Sequence, residues 1–93
     1  MTPEGLVKKE LKKLLADIGA YSHWPVPVGY GRSTLDVLFC YRGRFYGIEC
    51  KREGVGKPTD RQACIMREIA EAGGGVWLEN STGLEETRRR LGL

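Results

Sequence analysis

The sequence predicts a single α/β domain with its elements in the order α-β-β-β-α-β-α. Three observations support this prediction. Apolar residues recur at helical spacing near the N-terminus, two β-branched and aromatic runs flank a short Arg-Gly-Arg turn, and a Gly-Gly-Gly run separates a second helical pattern from a short apolar strand. The 93 residues leave room for one hydrophobic core, so we expect one domain over residues 1–93.

The composition excludes several classes of protein. Hydrophobic residues make up 41% and charged residues 29% of the chain, which is typical of a globular protein. Apolar runs are too short for a membrane helix and no signal-peptide core is present, so we expect a cytoplasmic protein without a membrane partner. The net charge of +3 permits a polyanion as partner. Three cysteines without a Cys-x-x-Cys spacing argue against a disulfide framework or a zinc site.

The first helix is predicted between an N-cap at Thr2 and a stop at Gly19, with Pro3 at its first position. Its apolar stripe consists of Val7, Leu11, Leu14, Leu15 and Ile18. Glu4 lies within about 40° of the centre of that stripe on a helical wheel. This carboxylate therefore either faces the sheet or only benefits from the helix dipole in the first turn.

Extended segments fill the middle of the chain. Residues 21–28 are predicted as an edge segment because two prolines exclude a central strand, and residues 29–33 as a loop. Residues 34–41 and 45–51 are predicted as a hairpin that turns at Arg42-Gly43. With such a turn, the residue numbers of each directly opposed pair add up to 85, which places Asp36 opposite Glu49. The residues expected on the apolar face are then Leu35, Val37, Phe39, Tyr46, Ile48 and Cys50, with Asp36, Glu49 and Lys51 on the other face.

Opposed carboxylates on adjacent strands repel each other, because their β-carbons are only about 4.5–5.5 Å apart. A divalent cation between Asp36 and Glu49 relieves this repulsion, and hard oxygen ligands favour Mg²⁺ or Mn²⁺. Lys51 supplies a further positive charge nearby. The alternative is that these residues are solvated on a half-exposed sheet, with Lys51 as a surface partner.

The remaining elements follow a glycine-rich loop, residues 52–58, which is expected to be mobile. Thr59 is predicted to cap a second helix that ends at the Gly73-Gly74-Gly75 run, before a short buried strand (76–79) and a final helix (81–91). Gln62 heads the predicted buried stripe of the second helix, which comprises Ile65, Met66 and Ile69. Its amide is therefore either turned toward the sheet, where it needs hydrogen-bond partners, or faces solvent in the first turn.

The spacing of Asp36 and Glu49-Cys50-Lys51 across a hairpin resembles the PD-(D/E)xK nuclease signature. The order of the surrounding features is similar to the VRR-NUC family, in its small stand-alone form common in phage and bacterial genomes. These features are an early Glu4, a Gly-rich loop before Asp36, a Lys-Pro-Thr loop after the Glu-x-Lys strand and Gln62 in the next helix. The resemblance extends from residue 2 to about residue 80. It departs from the signature at Leu35, where the family has a proline that performs no chemistry.

The resemblance implies a restriction-endonuclease-like fold with a central mixed sheet flanked by helices. It implies a homodimeric, Mg²⁺- or Mn²⁺-dependent endonuclease that hydrolyses phosphodiester bonds in DNA, notably four-way (Holliday) junctions or other branched DNA. It also implies a role for each matching residue: Asp36, Glu49 and the Cys50 backbone carbonyl as metal ligands, Lys51 orienting or activating the attacking water, Glu4 holding a metal-bound water or a second ion, and Gln62 supporting the site.

Basic residues near the hairpin and its loops are candidates for contacts with the DNA backbone, namely Arg32, Arg42, Arg44, Arg52, Lys57 and Arg61. The lysines of the first helix (8, 9, 12 and 13) are more typical of a solvated face. Two other kinds of function remain open at this point. One is a non-catalytic nucleic-acid-binding module on the same fold, and the other is a small interaction domain.

Overall fold

The computed structural model describes residues 1–26 and 34–93. Its elements are α1 (Pro3–Asp17), β1 (Tyr21–His23), β2 (Val37–Tyr41), β3 (Arg44–Cys50), α2 (Asp60–Glu71), β4 (Gly75–Glu79) and α3 (Glu85–Leu91). Within the described residues, the order of helices and strands is the predicted one. The predicted loop 29–33, which includes Arg32, lies outside them.

In the described part of the chain, four strands form one mixed sheet in the order β1-β2-β3-β4, with β3 and β4 parallel and the other neighbours antiparallel. Tyr41 pairs with Arg44 and Val37 with Ile48, so the predicted hairpin register is confirmed. The two turn residues, Arg42 and Gly43, have φ values of 51° and 77°. Two consecutive positive φ angles are typical of the tight turns that match the twist of a hairpin.

One face of the sheet is covered by α1. The side chain of Thr2 accepts a hydrogen bond from the Gly5 amide, and Gly19 follows the helix with a φ of 79°, so the predicted start and stop are confirmed. The buried helix side chains are Val7, Leu11, Leu14 and Leu15, which join one core cluster with Val37, Phe39, Ile48 and Cys50. This cluster is the main core of the domain.

The other face carries α2, which is less deeply packed than expected. The predicted buried stripe of Ile65, Met66 and Ile69 is only half-buried. Glycine at position 47 lets the helix approach, since a Cβ there would lie 3.2 Å from Ile69 Cδ1. The neighbouring Phe45 stays 46% exposed, so α2 leaves part of this apolar face open.

Leu35 is buried on the α2 face, so its predicted place beside Val37 on the α1 face is wrong. Its Cδ1 lies 2.9 Å from the point that a Cβ on Gly47 would occupy. The physical reason is a bend at Asp36. Because β2 begins only at Val37, the alternation of side chains does not extend back to Leu35.

The C-terminal helix is anchored by a buried carboxylate at the end of β4. Glu79 is 1% exposed and accepts hydrogen bonds from the amides of Ser81 (3.3 Å) and Thr87 (2.9 Å). This side chain thereby caps α3, whose own N-cap residue, Leu84, makes no capping bond. The helix begins at Glu85 rather than at the predicted residue 81, because residues 81–84 form a turn. No helix in the described parts of the chain has the length and apolar character needed to cross a membrane.

Candidate active site

The carboxylates of Asp36 and Glu49 meet where β2 and β3 separate. The backbone amide of Asp36 donates to Glu49 Oε1 (3.2 Å), and the backbone amide of Cys50 donates to Asp36 Oδ2 (2.8 Å). These two reciprocal bonds continue the strand pairing with side-chain acceptors, and they bring the side chains of Asp36 and Glu49 to the same place. The expected juxtaposition of the two acids is therefore present, and their role as metal ligands stays a prediction.

The surroundings of the acidic pair disfavour ionisation of Glu49. Glu49 is only 5% exposed. Burial, followed by contact with Asp36, raises the pKa of Glu49 to about 8, and the nearby charge of Lys51 only partly opposes this rise. Without a cation, Glu49 therefore keeps its proton at neutral pH.

The raised pKa predicts a pH-dependent stability for the metal-free protein. Unfolded Glu49 ionises near its ordinary pKa of 4.5 and folded Glu49 near 8. Its contribution to stability is therefore fully present below about pH 4.5, falls as the pH rises and is lost above about pH 8. Thermal unfolding in EDTA should show a melting temperature several degrees lower at pH 8.5 than at pH 5.5.

The matched control for this prediction is Glu49→Gln, which cannot titrate and should show a much flatter dependence of melting temperature on pH. A Glu49→Gln protein with the same slope as the wild type would show that the pH dependence originates elsewhere.

Glu4 reaches the site through a lysine on the same helix. Lys8 Nζ lies 3.6 Å from Glu4 Oε2 and 3.3 Å from Asp36 Oδ1. Burial lowers the pKa of Lys8, but Asp36 and then Glu4 raise it more, so the net pKa lies above its ordinary value and the side chain is charged. Glu4 is thus linked to Asp36 through one ammonium group that lies between the two carboxylates, and its predicted role at the metal stays a prediction.

Lys8 is the site residue that the sequence patterns missed, because they placed it with the solvated lysines of the first helix. Two signals point to it in retrospect. It follows Glu4 by four residues, the spacing of an ion pair along a helix, and it directly follows Val7, which is buried. Its 36% side-chain exposure is intermediate, as expected for a residue at the edge of the buried stripe.

Cys50 contributes its backbone and not its thiol. Its side chain lies in the α1-side core, and burial raises the pKa of the thiol far above the ordinary value, so the sulfur stays protonated. Because the amide and carbonyl of one extended residue point toward the same neighbouring strand, the Cys50 carbonyl is directed to the side of Asp36. This orientation suits the predicted role of that carbonyl.

Lys51 directly follows β3. Its backbone amide donates to the Glu79 carbonyl (2.9 Å), which extends the β3–β4 pairing by one bond. Its charge lowers the pKa of Glu49 and so acts on the acidic pair. Within the described residues, the Lys51 ammonium forms no ion pair, and its role at the site stays a prediction.

Gln62 has a local structural role. Its side-chain Oε1 accepts a hydrogen bond from the Thr59 backbone amide (2.8 Å), and its backbone amide donates to Thr59 Oγ1 (3.2 Å). These two bonds form a reciprocal capping box at the start of α2. This arrangement favours the first-turn alternative for the glutamine. Because its carbonyl oxygen is engaged in the cap, its predicted support of the site depends on the remaining NH₂ group.

The basic residues predicted to contact DNA are divided between two ends of the sheet. Arg42 and Arg44 lie at the hairpin tip, where their guanidinium groups sit over Tyr41 (5.2 Å) and Tyr46 (5.6 Å). Arg44 is five residues along β3 from Glu49, or about 16 Å at the rise of an extended strand. The structure therefore does not bring these two arginines to the acidic pair.

The other basic candidates lie on the site side of the sheet. Arg52 and Lys57 belong to the loop that leaves β3 directly after Lys51, and Arg61 lies in the first turn of α2. The loop contains a turn closed by a hydrogen bond from the Val55 amide to the Arg52 carbonyl, and Asn80 Nδ2 donates to the Val55 carbonyl (3.0 Å). The chain thus anchors this basic loop beside the end of β3.

The donor set at the site fits a hard divalent cation. Among residues 1–26 and 34–93, no three or more His, Cys, Asp or Glu side chains cluster in a way that could hold a metal. The acidic pair and the Cys50 carbonyl would therefore need water to complete a coordination shell. Mg²⁺ commonly binds in this way, through one or two carboxylates with several waters retained, whereas a structural zinc site requires four protein ligands. Such a cation would offset the burial and the contact with Asp36 that disfavour ionisation of Glu49.

Comparison with known proteins relates this architecture to the fold of a solved domain. A solved structure described as a VRR_NUC domain matches the chain with a TM-score of 0.78 and 22% sequence identity, over 97% of each chain. No protein-family model matches the sequence, and no curated protein is significantly similar to it. The chain thus has the fold of a VRR_NUC domain, and the predicted restriction-endonuclease-like fold, with its mixed sheet flanked by helices, is confirmed.

Proposed function

We propose that this protein is a nuclease of the VRR-NUC type that hydrolyses phosphodiester bonds in DNA and depends on Mg²⁺ or Mn²⁺. The observation that carries the proposal is the contact between the Asp36 and Glu49 carboxylates at the end of the β2–β3 hairpin, with Lys51 two residues further on. The similarity of the fold to a VRR_NUC domain supports the same reaction class.

The cation would be held by Asp36, Glu49 and the Cys50 backbone carbonyl. When bound, such an ion lowers the pKa of a coordinated water and neutralises charge that develops on the scissile phosphate. Lys51 then contributes a positive charge or a proton-transfer group next to the attacked phosphate. Glu4 lies one helical turn from Lys8 at the rim of the site, where it would orient a metal-bound water.

The DNA backbone would pass along the loop after β3. Arg52, Lys57 and Arg61 supply positive charge on that side, which suits contact with successive phosphates. Arg42 and Arg44 lie at the far hairpin tip, so contact with them requires a DNA segment that extends beyond the reacting phosphate.

Branched DNA is the substrate that we propose, with four-way junctions foremost, and the active form would be a homodimer. Two active sites related by a two-fold axis suit paired incisions in a symmetric junction. The small core of a 93-residue domain and the partly open apolar face around Phe45 are both compatible with association of two copies. Sedimentation of the purified protein tests the dimer independently of activity.

The deciding experiment compares four DNAs of equal length, namely a four-way junction, a flap, a single strand and a linear duplex, each with Mg²⁺, Mn²⁺ or EDTA. We expect cleavage of the junction with either cation, much slower cleavage of the linear duplex and none in EDTA. Binding to the junction without cleavage in either cation would instead support the alternative, a non-catalytic nucleic-acid-binding module.

A further inference from the structure

The Lys8 ammonium contacts one of the two carboxylate oxygens of Asp36. Asp36 Oδ2 accepts from the Cys50 amide at 2.8 Å, and Asp36 Oδ1 lies 3.3 Å from Lys8 Nζ. The amide bond is part of the strand pairing and holds Oδ2 in place. Within the described residues, Oδ1 accepts no backbone hydrogen bond and is therefore the oxygen more open to an incoming cation, and the lysine already contacts it.

The surroundings of this contact make it stronger than an ordinary surface ion pair. The Asp36 side chain is only 20% exposed, and the buried Glu49 carboxyl lies against it. Ion pairs fully exposed to water contribute little, but partial burial reduces the screening that weakens them. Lys8 thus supplies positive charge to the acidic pair from the α1 side.

We propose that the Lys8 ammonium is the built-in counter-ion of the metal-free site, and that a divalent cation must displace it from Asp36 Oδ1 in order to bind. This inference rests on the proposed function, because it concerns the same cation site. Lys8 is accordingly a positioning residue, which holds the acidic pair together before the metal arrives and competes with the metal for one oxygen.

Glu4 gives the displaced lysine a second partner. Its Oε2 lies 3.6 Å from Lys8 Nζ and comes from the preceding turn of the same helix. The ammonium can therefore leave Asp36 while it keeps a carboxylate contact, with only side-chain rotation. The effect of Glu4 on metal binding then runs partly through Lys8.

The test measures Mn²⁺ binding by calorimetry at pH 8, without DNA, for the wild type, Lys8→Met and the control Lys9→Met. Lys9 is an exposed neighbour on the same helix. Its substitution therefore removes one positive charge, as Lys8→Met does, but at a position outside the acidic pair. We expect Lys8→Met to bind Mn²⁺ about five- to tenfold more tightly than the wild type, because a competing charge next to Asp36 is gone. Lys9→Met should bind with nearly unchanged affinity.

Thermal unfolding separates this role from a merely structural one. In EDTA, Lys8→Met should melt below the wild type, and saturating Mn²⁺ should raise its melting temperature by more than it raises that of the wild type. A structural role alone would lower both melting temperatures equally. If Lys8→Met does not fold, Lys8→Gln serves for the same comparison.

Mn²⁺ affinity of folded Lys8→Met that is equal to or weaker than that of the wild type would overturn the inference. A wild-type protein that binds no Mn²⁺ at all would overturn the proposed metal site itself. The inferred competition between Lys8 and the cation would be overturned with it.

Discussion

Asp36→Asn is expected to reduce junction cleavage by about 10³-fold or more, which corresponds to about 4 kcal/mol in the activation free energy. The asparagine oxygen can still accept the hydrogen bond of the Cys50 amide, so the pairing of β2 and β3 should persist. What disappears is the negative charge at the oxygen that faces Lys8 and the proposed cation. The variant should therefore remain folded and lose both Mn²⁺ affinity and cleavage.

Asp17→Asn is the matched control for this prediction, because it makes the same chemical change at an exposed position at the end of α1. Its cleavage rate should equal that of the wild type. Circular dichroism and single-turnover cleavage measured on the same samples separate loss of fold from loss of chemistry. Asp36→Asn with a wild-type cleavage rate would exclude the aspartate as a metal ligand.

Lys51→Ala is expected to lower kcat by about 10²–10⁴-fold, the range typical of a positioned proton-transfer or charge-stabilising group. Mn²⁺ affinity should not fall, because the positive charge of Lys51 acts against a cation at the neighbouring Glu49. Cleavage rates at saturating DNA, together with Mn²⁺ titration of the DNA-free protein, measure the two quantities separately.

Lys57→Ala provides the contrast for Lys51, since it removes a lysine from the loop proposed to follow the DNA backbone. We expect this variant to raise KM with little change in kcat, because phosphate contacts outside the reacting group bind ground state and transition state alike. If Lys51→Ala shows the same pattern, with kcat retained, Lys51 would be a DNA-binding residue without a part in the chemistry.

The meeting of Asp36 and Glu49 was predictable because it depends on local rules. A two-residue turn at Arg42-Gly43 determines which positions of the hairpin face each other, and the alternation of apolar residues selects one register. The caps at Thr2 and Thr59 were predictable for the same reason, since each depends on a side chain and an amide three residues apart.

Two of the features that sequence patterns missed, the position of Leu35 and the contact of Lys8, depend on contacts between distant parts of the chain. Leu35 changes face because the side chain of Asp36, and not another backbone carbonyl, accepts from the Cys50 amide, and strand periodicity does not describe that exchange. Lys8 enters the site because α1 crosses the sheet near Asp36, a packing arrangement that a helical wheel does not contain. Glu79 was predicted only as a strand residue, yet its burial and its capping of α3 follow from the turn at residues 81–84.

The same distinction applies to Gln62. Its position at the head of a stripe left two alternatives, a side chain turned toward the sheet or one facing solvent in the first turn, and in the structure its side-chain oxygen closes the capping box with Thr59. How deeply α2 packs depends on the glycines of the sheet beneath it and on Phe45, none of which belongs to the helix itself.

Crystals of the protein grown with Mn²⁺ allow the cation to be located directly, from diffraction data recorded at a wavelength at which manganese scatters anomalously. The proposed site predicts an anomalous peak bonded to one carboxylate oxygen each of Asp36 and Glu49 and to the Cys50 carbonyl, with Lys8 Nζ moved away from Asp36. Ordered Asp36 and Glu49 side chains without a peak between them, at Mn²⁺ concentrations that support DNA cleavage, would contradict the assignment of these acids as the metal ligands.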